Sequence, residues 1–270
     1  MLACHVSIIH DTQGPSNTIT CAQASAGLAL AEACRGIGRG KADVALVGGC
    51  ESRIHPMGLL RWTLLERLNV QANEAPETAC RPLDEAAAGT VLAEGGAVLV
   101  VEALEHAQAR GATIYAEVVG VGASATATEL APDPAGEAQA AAISKALKSA
   151  GLRPEAVRLI VPSGYGIPAY DAADAQALRR AFGAGLDATL VAPARGGIGD
   201  CGAGSQALDL AAAAMAVHRL MVWPAVNCPR PIAGLSVPQR QQATDVPYAL
   251  VSTSAFGVQN VVSVLTRCIL

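Results

Sequence analysis

The stretch from Gly14 to Asp43, GPSNTITCAQASAGLALAEACRGIGRGKAD, decides how the rest of the chain is read. It predicts a short β-strand from Asn17 to Ala22 that breaks sharply into a helix starting near Gln23. Small residues, Ala24, Ala26, Gly27 and Ala31, run along one side of that helix, so it can lie close against a sheet. A strand-to-helix elbow aims one side chain at the positive end of a helix, where an anion or a nucleophile is stabilised. Cysteine gains most from such a place, because its thiolate form is favoured there. Both Cys21 and Gln23 lie close enough to be the elbow residue.

Composition narrows the class. A chain of 270 residues can bury a large core, either as one domain or as two halves. With 51% hydrophobic but only 3% aromatic residues, that core is built from Ala, Val, Leu and Ile. The net charge of −4 and the lack of a Lys/Arg block argue against nucleic acid or an anionic membrane as a partner. Asp209 interrupts the best apolar run, Ala207 to Val217, well short of a membrane span. The start, MLACHVSIIHDTQ, lacks the basic residues and cleavage site of a signal peptide. The eight cysteines show no paired spacing, and most sit in apolar or small-residue segments. Reduced thiols and a cytoplasmic location are therefore expected. The five histidines make no metal-ligand pattern with the cysteines, so no metal is expected.

Along the chain, ADVALVG (residues 42–48) is read as a buried parallel strand. A loop and short helix are expected from Glu51 to Leu68, a strand from Glu94 to Leu104, and another from Thr113 to Val121. The polar, proline-bearing segment from Ala123 to Gly136 reads as a joint between halves 1–122 and 123–270. Beyond it, helices over Glu137–Ala150, Ala172–Phe182 and Gln206–Leu220 alternate with strands at Val157–Val161, Thr189–Ala192, Val246–Thr253 and Val261–Thr266. That alternation indicates a layered α/β fold.

Six segments, in order, resemble the β-ketoacyl-ACP synthases of the thiolase superfamily. They are GPSNTITCAQ, the segment Arg35–Glu51, RPLDEAAAGTVLAEGGAVLVVEALEHAQARGATIYAEVVGVG, VPSGYGIPAYD, ARGGIGDCGAGSQALDL and STSAFGVQN. The resemblance covers nearly the whole chain and implies an α/β/α/β/α layered fold. It also implies an N-terminal half that is incomplete here, since only Leu2 to Gln13 precede the elbow segment. Either the start is truncated, or this is a shortened subunit, as in aryl-polyene-type pathways, that its partner stabilises.

In that family an elbow cysteine, two histidines and a lysine carry catalysis, beside an oxyanion hole of backbone N–H groups. Carried across position by position, the cysteine falls on Gln23, the histidines on Ser163 and Asp200, and the lysine on Arg195. The last Gly-rich loop falls on Phe256 and Gly257. A neutral amide cannot attack a thioester, serine is no base near neutral pH, and aspartate repels a malonyl carboxylate. Arg195 and Asp200 are read as a structural ion pair. Phe256 is read equally as packing and as a gate.

A glutamine at the elbow resembles the chain-length factors, the non-catalytic β subunits of type II ketosynthase heterodimers. The resemblance implies a catalytic ketosynthase partner, an acyl carrier protein bearing acyl or malonyl thioesters, and no cofactor. It places the seam between subunits on the strand Asn17, Thr18, Ile19, Thr20, Cys21 and Ala22. It implies a role in polyketide, polyene or fatty-acid-type elongation, with the chain shaping its partner's acyl tunnel. From the enzyme class, a weakly active β-ketoacyl-ACP synthase or malonyl-ACP decarboxylase remains the alternative, and a scaffold unrelated to elongation a third.

Overall fold

The structure, a computed structural model, describes residues 2–126, 132–256 and 259–268. Helices α1 (Leu2–Ile9) and α2 (Ser25–Gly38) are followed by β1 (Val44–Ser52), α3 (Pro56–Leu64), β2 (Glu94–Glu102), α4 (Leu104–Ala109) and β3 (Glu117–Ala125). Next come α5 (Glu137–Ser149), β4 (Leu159–Val161), α6 (Pro168–Phe182), β5 (Leu190–Val191), α7 (Arg195–Ile198) and α8 (Ser205–Arg219). Short strands β6 (Met221–Val222) and β7 (Gln242–Ala243) precede the long pair β8 (Tyr248–Ser254) and β9 (Gln259–Thr266).

A five-stranded sheet, in the order β3-β9-β8-β4-β5, forms the middle of the molecule. Its β3, β9 and β8 run antiparallel, whereas β8, β4 and β5 run parallel. On one face α5 and α6 set Ile143, Leu147, Leu178 and Phe182 against Ile160, Leu250, Val262 and Val264. Glycines in β3 let α5 come close: a Cβ at Gly122 would lie 2.2 Å from the Ala142 carbonyl oxygen. On the other face α2 and α8 set Leu30, Leu210, Ala213 and Val217 against Leu159, Val161, Val251 and Leu265. Each large aliphatic side chain buried there contributes about 2 kcal/mol from leaving water. α2 and α8 meet at Gly27, whose N–H donates to Gln206 Oε1 at 2.8 Å and whose missing Cβ leaves room for that amide.

Beyond α2 and α8 lies a second, two-stranded sheet, β1 and β2. The layers are thus helix, sheet, helix, sheet, matching the expected layered α/β architecture. Val47, Leu99 and Val101 face the helices, while Val44, Leu46, Val98 and Val100 point outward and stay exposed.

Three sequence expectations need correction. β1 is antiparallel to β2, not parallel, and only Val47 in it is fully buried. A continuous apolar run looks the same whether both of its faces are covered or only one. The strand expected from Asn17 to Ala22 is not formed within the chain: residues 14–21 carry no ladder, and Ala22–Ala24 is a 3₁₀ turn. A strand exists only beside another, and no described segment runs alongside this one. β3 also runs on to Ala125, into the start of the expected joint at residues 123–136, of which 127–131 lie outside the described residues.

Candidate functional site

The elbow is built by Ser25. Its hydroxyl donates to the Ala22 carbonyl at 2.7 Å and accepts the Cys21 N–H at 2.9 Å, while Ala24 N–H closes the turn onto the Cys21 carbonyl. Ala22 is driven to φ 47°, a left-handed conformation that costs a non-glycine residue about 1 kcal/mol. The next residue, Gln23, then points inward and is fully buried. Cys21 stays half-buried, packed with Ala24, Ala255 and Val261.

The Gln23 amide fits its surroundings at both ends. Its Nε2 donates to Asp200 Oδ2 at 3.1 Å, and its Oε1 accepts a long 3.5 Å bond from Phe256 N–H. Asp200, also fully buried, accepts from Gly202 N–H, from the Ser205 hydroxyl and from Arg53 Nη1 at 3.2 Å. Arg53 grips Glu51 through two further bonds, and Glu51 accepts the Ala203 N–H at 2.7 Å. Burial alone would raise the Glu51 carboxyl, but the bonds from Arg53 and Ala203 outweigh it and hold its pKa below the usual range.

Ser163 is fully buried, and its hydroxyl accepts the Ser254 N–H at 2.9 Å. Next to it, Asp171 accepts three backbone N–H groups, from Leu83, Tyr165 and Gly166. Burial still dominates there and, with Asp174 beside it, pushes the Asp171 carboxyl up to about 7. Arg195, 1% exposed, lies with its guanidinium 4.3 Å from the Tyr165 ring centre and 3.5 Å from Asp209. Burial works against its charge, but Tyr165, Asp209 and Asp200 outweigh burial and keep it protonated. Burial raises Asp209 to about 7 in spite of that cation.

The structure therefore brings Gln23, Asp200 and Phe256 together by direct bonds, with Ser163 tied to Ser254 just before Phe256 and Arg195 against the Tyr165 ring that packs on Phe256. Gly257 lies outside the described residues. The expected Arg195–Asp200 ion pair is not formed: Arg195 pairs with Asp209, and Asp200 pairs with Arg53. Arg53 reaches Asp200 first because the end of β1 lies directly on the turn at Gly202–Gly204. Sequence reading missed Arg53. Its partner lies 147 positions away, and nothing local marks the pair. Glu51 was visible, since it ends the Gly-Gly-x-Glu segment.

The groups that meet here can hold an amide, a carboxylate and a guanidinium in a closed network. Among the described side chains bonded to Gln23 or Asp200 there is neither a thiol nor an imidazole. No group of three His, Cys, Asp or Glu side chains among the described residues could hold a metal ion.

The family descriptions Beta-ketoacyl synthase, N-terminal domain, and Beta-ketoacyl synthase, C-terminal domain, match residues 1–107 and 115–229. A 3-oxoacyl-[acyl-carrier-protein] synthase 2 of Staphylococcus aureus is 32% identical over 266 residues, which is 97% of this chain and 64% of that protein. The Coxiella burnetii protein of the same name matches with the same identity and coverage. The chain thus spans slightly less than two thirds of the length of these relatives. Among solved structures, a type II PKS acyl-carrier protein in complex with its ketosynthase bound to the hexaketide (AntDE:AntF) superposes with a TM-score of 0.95. That match is 26% identical and covers 98% of this chain and 66% of the other. The ishigamide ketosynthase/chain length factor superposes with a TM-score of 0.91 at 26% identity, covering 99% of this chain and 65% of that one.

Proposed function

The chain belongs to the β-ketoacyl synthase family, and on that premise we propose that it is a non-catalytic, chain-length-factor-like subunit. It pairs with a catalytic β-ketoacyl-ACP synthase and shapes that partner's acyl tunnel during elongation of a polyketide, polyene or fatty-acid-type chain. An acyl carrier protein delivers the acyl and malonyl thioesters to the pair. The observation that carries the reading is the fully buried Gln23 amide, bonded to Asp200 and to the Phe256 N–H. In this reading Gln23 stands where the family's nucleophile stands, Ser163 and Asp200 where its histidines stand, and Arg195 where its lysine stands. Acyl transfer needs a nucleophile, a base and a free oxyanion donor. Here the amide replaces the first and engages the N–H that would supply the third.

The likeness to a ketosynthase/chain length factor structure and to a ketosynthase with its acyl carrier protein supports the same reading. The segment Asn17–Ala22, exposed at Asn17, Thr18 and Thr20 and half-buried at the rest, is its proposed seam. Ser25 and Ala24 already take the Cys21 N–H and the Cys21 and Ala22 carbonyls, so the part that offers backbone groups to a strand of the partner is the stretch before Cys21, which has no ladder of its own. The proposed division into halves, 1–122 and 123–270, falls inside β3 (Glu117–Ala125), which pairs with β9. Among the described residues no helix is long and apolar enough to cross a membrane. With all eight cysteines unpaired, a reducing cytoplasm is the proposed location.

The test is co-expression with a catalytic ketosynthase, followed by purification and an elongation assay with malonyl-ACP. The two chains are expected to purify as one complex that elongates. A chain that stays a homodimer without effect on any ketosynthase would leave only the scaffold reading.

A further inference from the structure

We propose that this chain bars its own elbow with an internal plug, in which Trp62 and Phe256, locked by Arg53 and Arg67, leave no path for an acyl thioester to Gln23. This rests on the subunit reading and deepens it: the growing chain is received only in the partner's pocket.

The chain has just eight aromatic residues, two Trp, four Tyr and two Phe, and four of them converge at this one point. The Phe256 ring centre lies 4.9 Å from Trp62, 4.4 Å from Tyr165 and 4.7 Å from Tyr170. Trp62 and Tyr170 meet it edge to face, at 81° and 79°, an arrangement that the ring quadrupoles favour. Two cations lock the rings. The Arg67 guanidinium lies 4.5 Å over Phe256 and donates to the Tyr170 hydroxyl at 3.0 Å. The Arg53 guanidinium lies 4.9 Å over Trp62 while its nitrogens hold Glu51 and Asp200. Such contacts strengthen as water is excluded.

The plug is joined to the elbow, because the backbone N–H of Phe256 is the group that Gln23 Oε1 accepts. It also explains α3. Trp62 is the one buried residue of this nine-residue helix among the described residues, while Met57, Leu60 and Leu64 are exposed. A helix that short does not hold itself together in water, so the Trp62 ring is its anchor. A small cleft open to solvent is lined by residues including Tyr170 and Ala255 but not by Gln23 or Asp200. Ordinary core packing would need neither the arginines nor a tryptophan on a helix otherwise left outside.

The test places a thiol where the plug should deny access. In Gln23→Cys, labelling at position 23 is followed by peptide mass mapping with a short-chain and a decyl-chain maleimide. The exposed Cys4 and Cys50 serve as internal references. The ratio of the two reagents cancels the acidity of the buried thiol itself. With Trp62 in place, the decyl reagent is expected to label position 23 roughly a hundredfold more slowly, relative to the short one, than it labels Cys4 and Cys50. Such a group is reached only by local opening. Adding Trp62→Ala should return the ratio to that of the references, and added indole should restore protection. If Trp62→Ala does not fold, Arg67→Met, which frees Phe256 without removing a buried ring, should raise the ratio in the same direction. A reference-like ratio with Trp62 and Arg67 intact, or no response to either change, overturns the plug. The elongation assay decides the subunit reading independently, since an open but inert elbow would still fail to elongate.

Discussion

Two turns in this chain share one local design, with the same cysteine and serine at their ends and different residues at the three positions between. Cys21-Ala22-Gln23-Ala24-Ser25 leads into α2, and Cys201-Gly202-Ala203-Gly204-Ser205 leads into α8. In each, the cysteine N–H donates to the serine hydroxyl at 2.9 Å, and a 3₁₀ turn closes onto the cysteine carbonyl at 3.0 Å. In each, the second residue has positive φ, 47° at Ala22 and 57° at Gly202. The second turn meets that demand with glycine, at little steric cost. The first meets it with alanine and carries the strain. Strained backbone persists where the surroundings over-determine it, and here they hold Gln23 on Asp200 and Phe256. On the proposed reading, the first turn is a nucleophile elbow that presents an amide.

Exchanging the two residues separates strain from contact. The largest effect is expected for Gly202→Ala. Its Cβ would fall 2.0 Å from Glu51 Oε2, and its φ would be strained as well. The Glu51–Ala203 bond and the Arg53 bridge to Asp200 would both be displaced. A loss of about 3 kcal/mol is expected in chemical denaturation. A change under about 1 kcal/mol would mean that the bridge contributes little.

A second difference lies one turn further along. α8 carries the buried Asp209 beside Arg195, whereas the equivalent place in α2 is Ala29. Burial raises Asp209 and Asp171 from an ordinary 3.8 to about 7, so between those values the folded state binds more protons than the unfolded one. Their contribution to stability should therefore be fully present below about pH 4 and be lost as pH rises from there to about 7, by roughly 2 kcal/mol. Asp209→Asn should flatten part of that slope, as read from denaturation midpoints across the range. A slope of opposite sign would place both carboxylates in a better-solvated setting than the structure gives them.

The smallest effect is expected for Ala22→Gly, which relieves the left-handed strain and gives back part of the gain as chain entropy. A net stabilisation of about 0.5 kcal/mol is expected, with Gln23 in place. Destabilisation instead would show that the methyl group's contacts with Cys21, Ala24 and Val261 outweigh the strain.

Much of the fold was legible in the sequence. α5, α8 and the strands β8 and β9 lie within a few residues of where periodicity placed them, because their apolar faces are covered within the chain. The failures fall where no described part of the chain covers the segment. β1 looked doubly buried, but Val44 and Leu46 face outward. Asn17–Ala22 looked like a strand, but nothing described lies beside it. At the site, position counting singled out Gln23, Ser163, Arg195, Asp200 and Phe256, of which the structure bonds Gln23 to Asp200 and to the Phe256 N–H. It could not reveal that Arg53 takes Asp200 away from Arg195, nor that Trp62 closes over Phe256. Contacts between segments a hundred or more residues apart leave no local signature.

The central claim, that the elbow keeps its shape without its chemistry, is tested most directly by elongation of malonyl-ACP. Three samples are compared: the purified chain alone, a catalytic ketosynthase alone, and the two co-purified. The account predicts no elongated product from this chain alone and efficient elongation by the pair. Elongated product from this chain alone would contradict it.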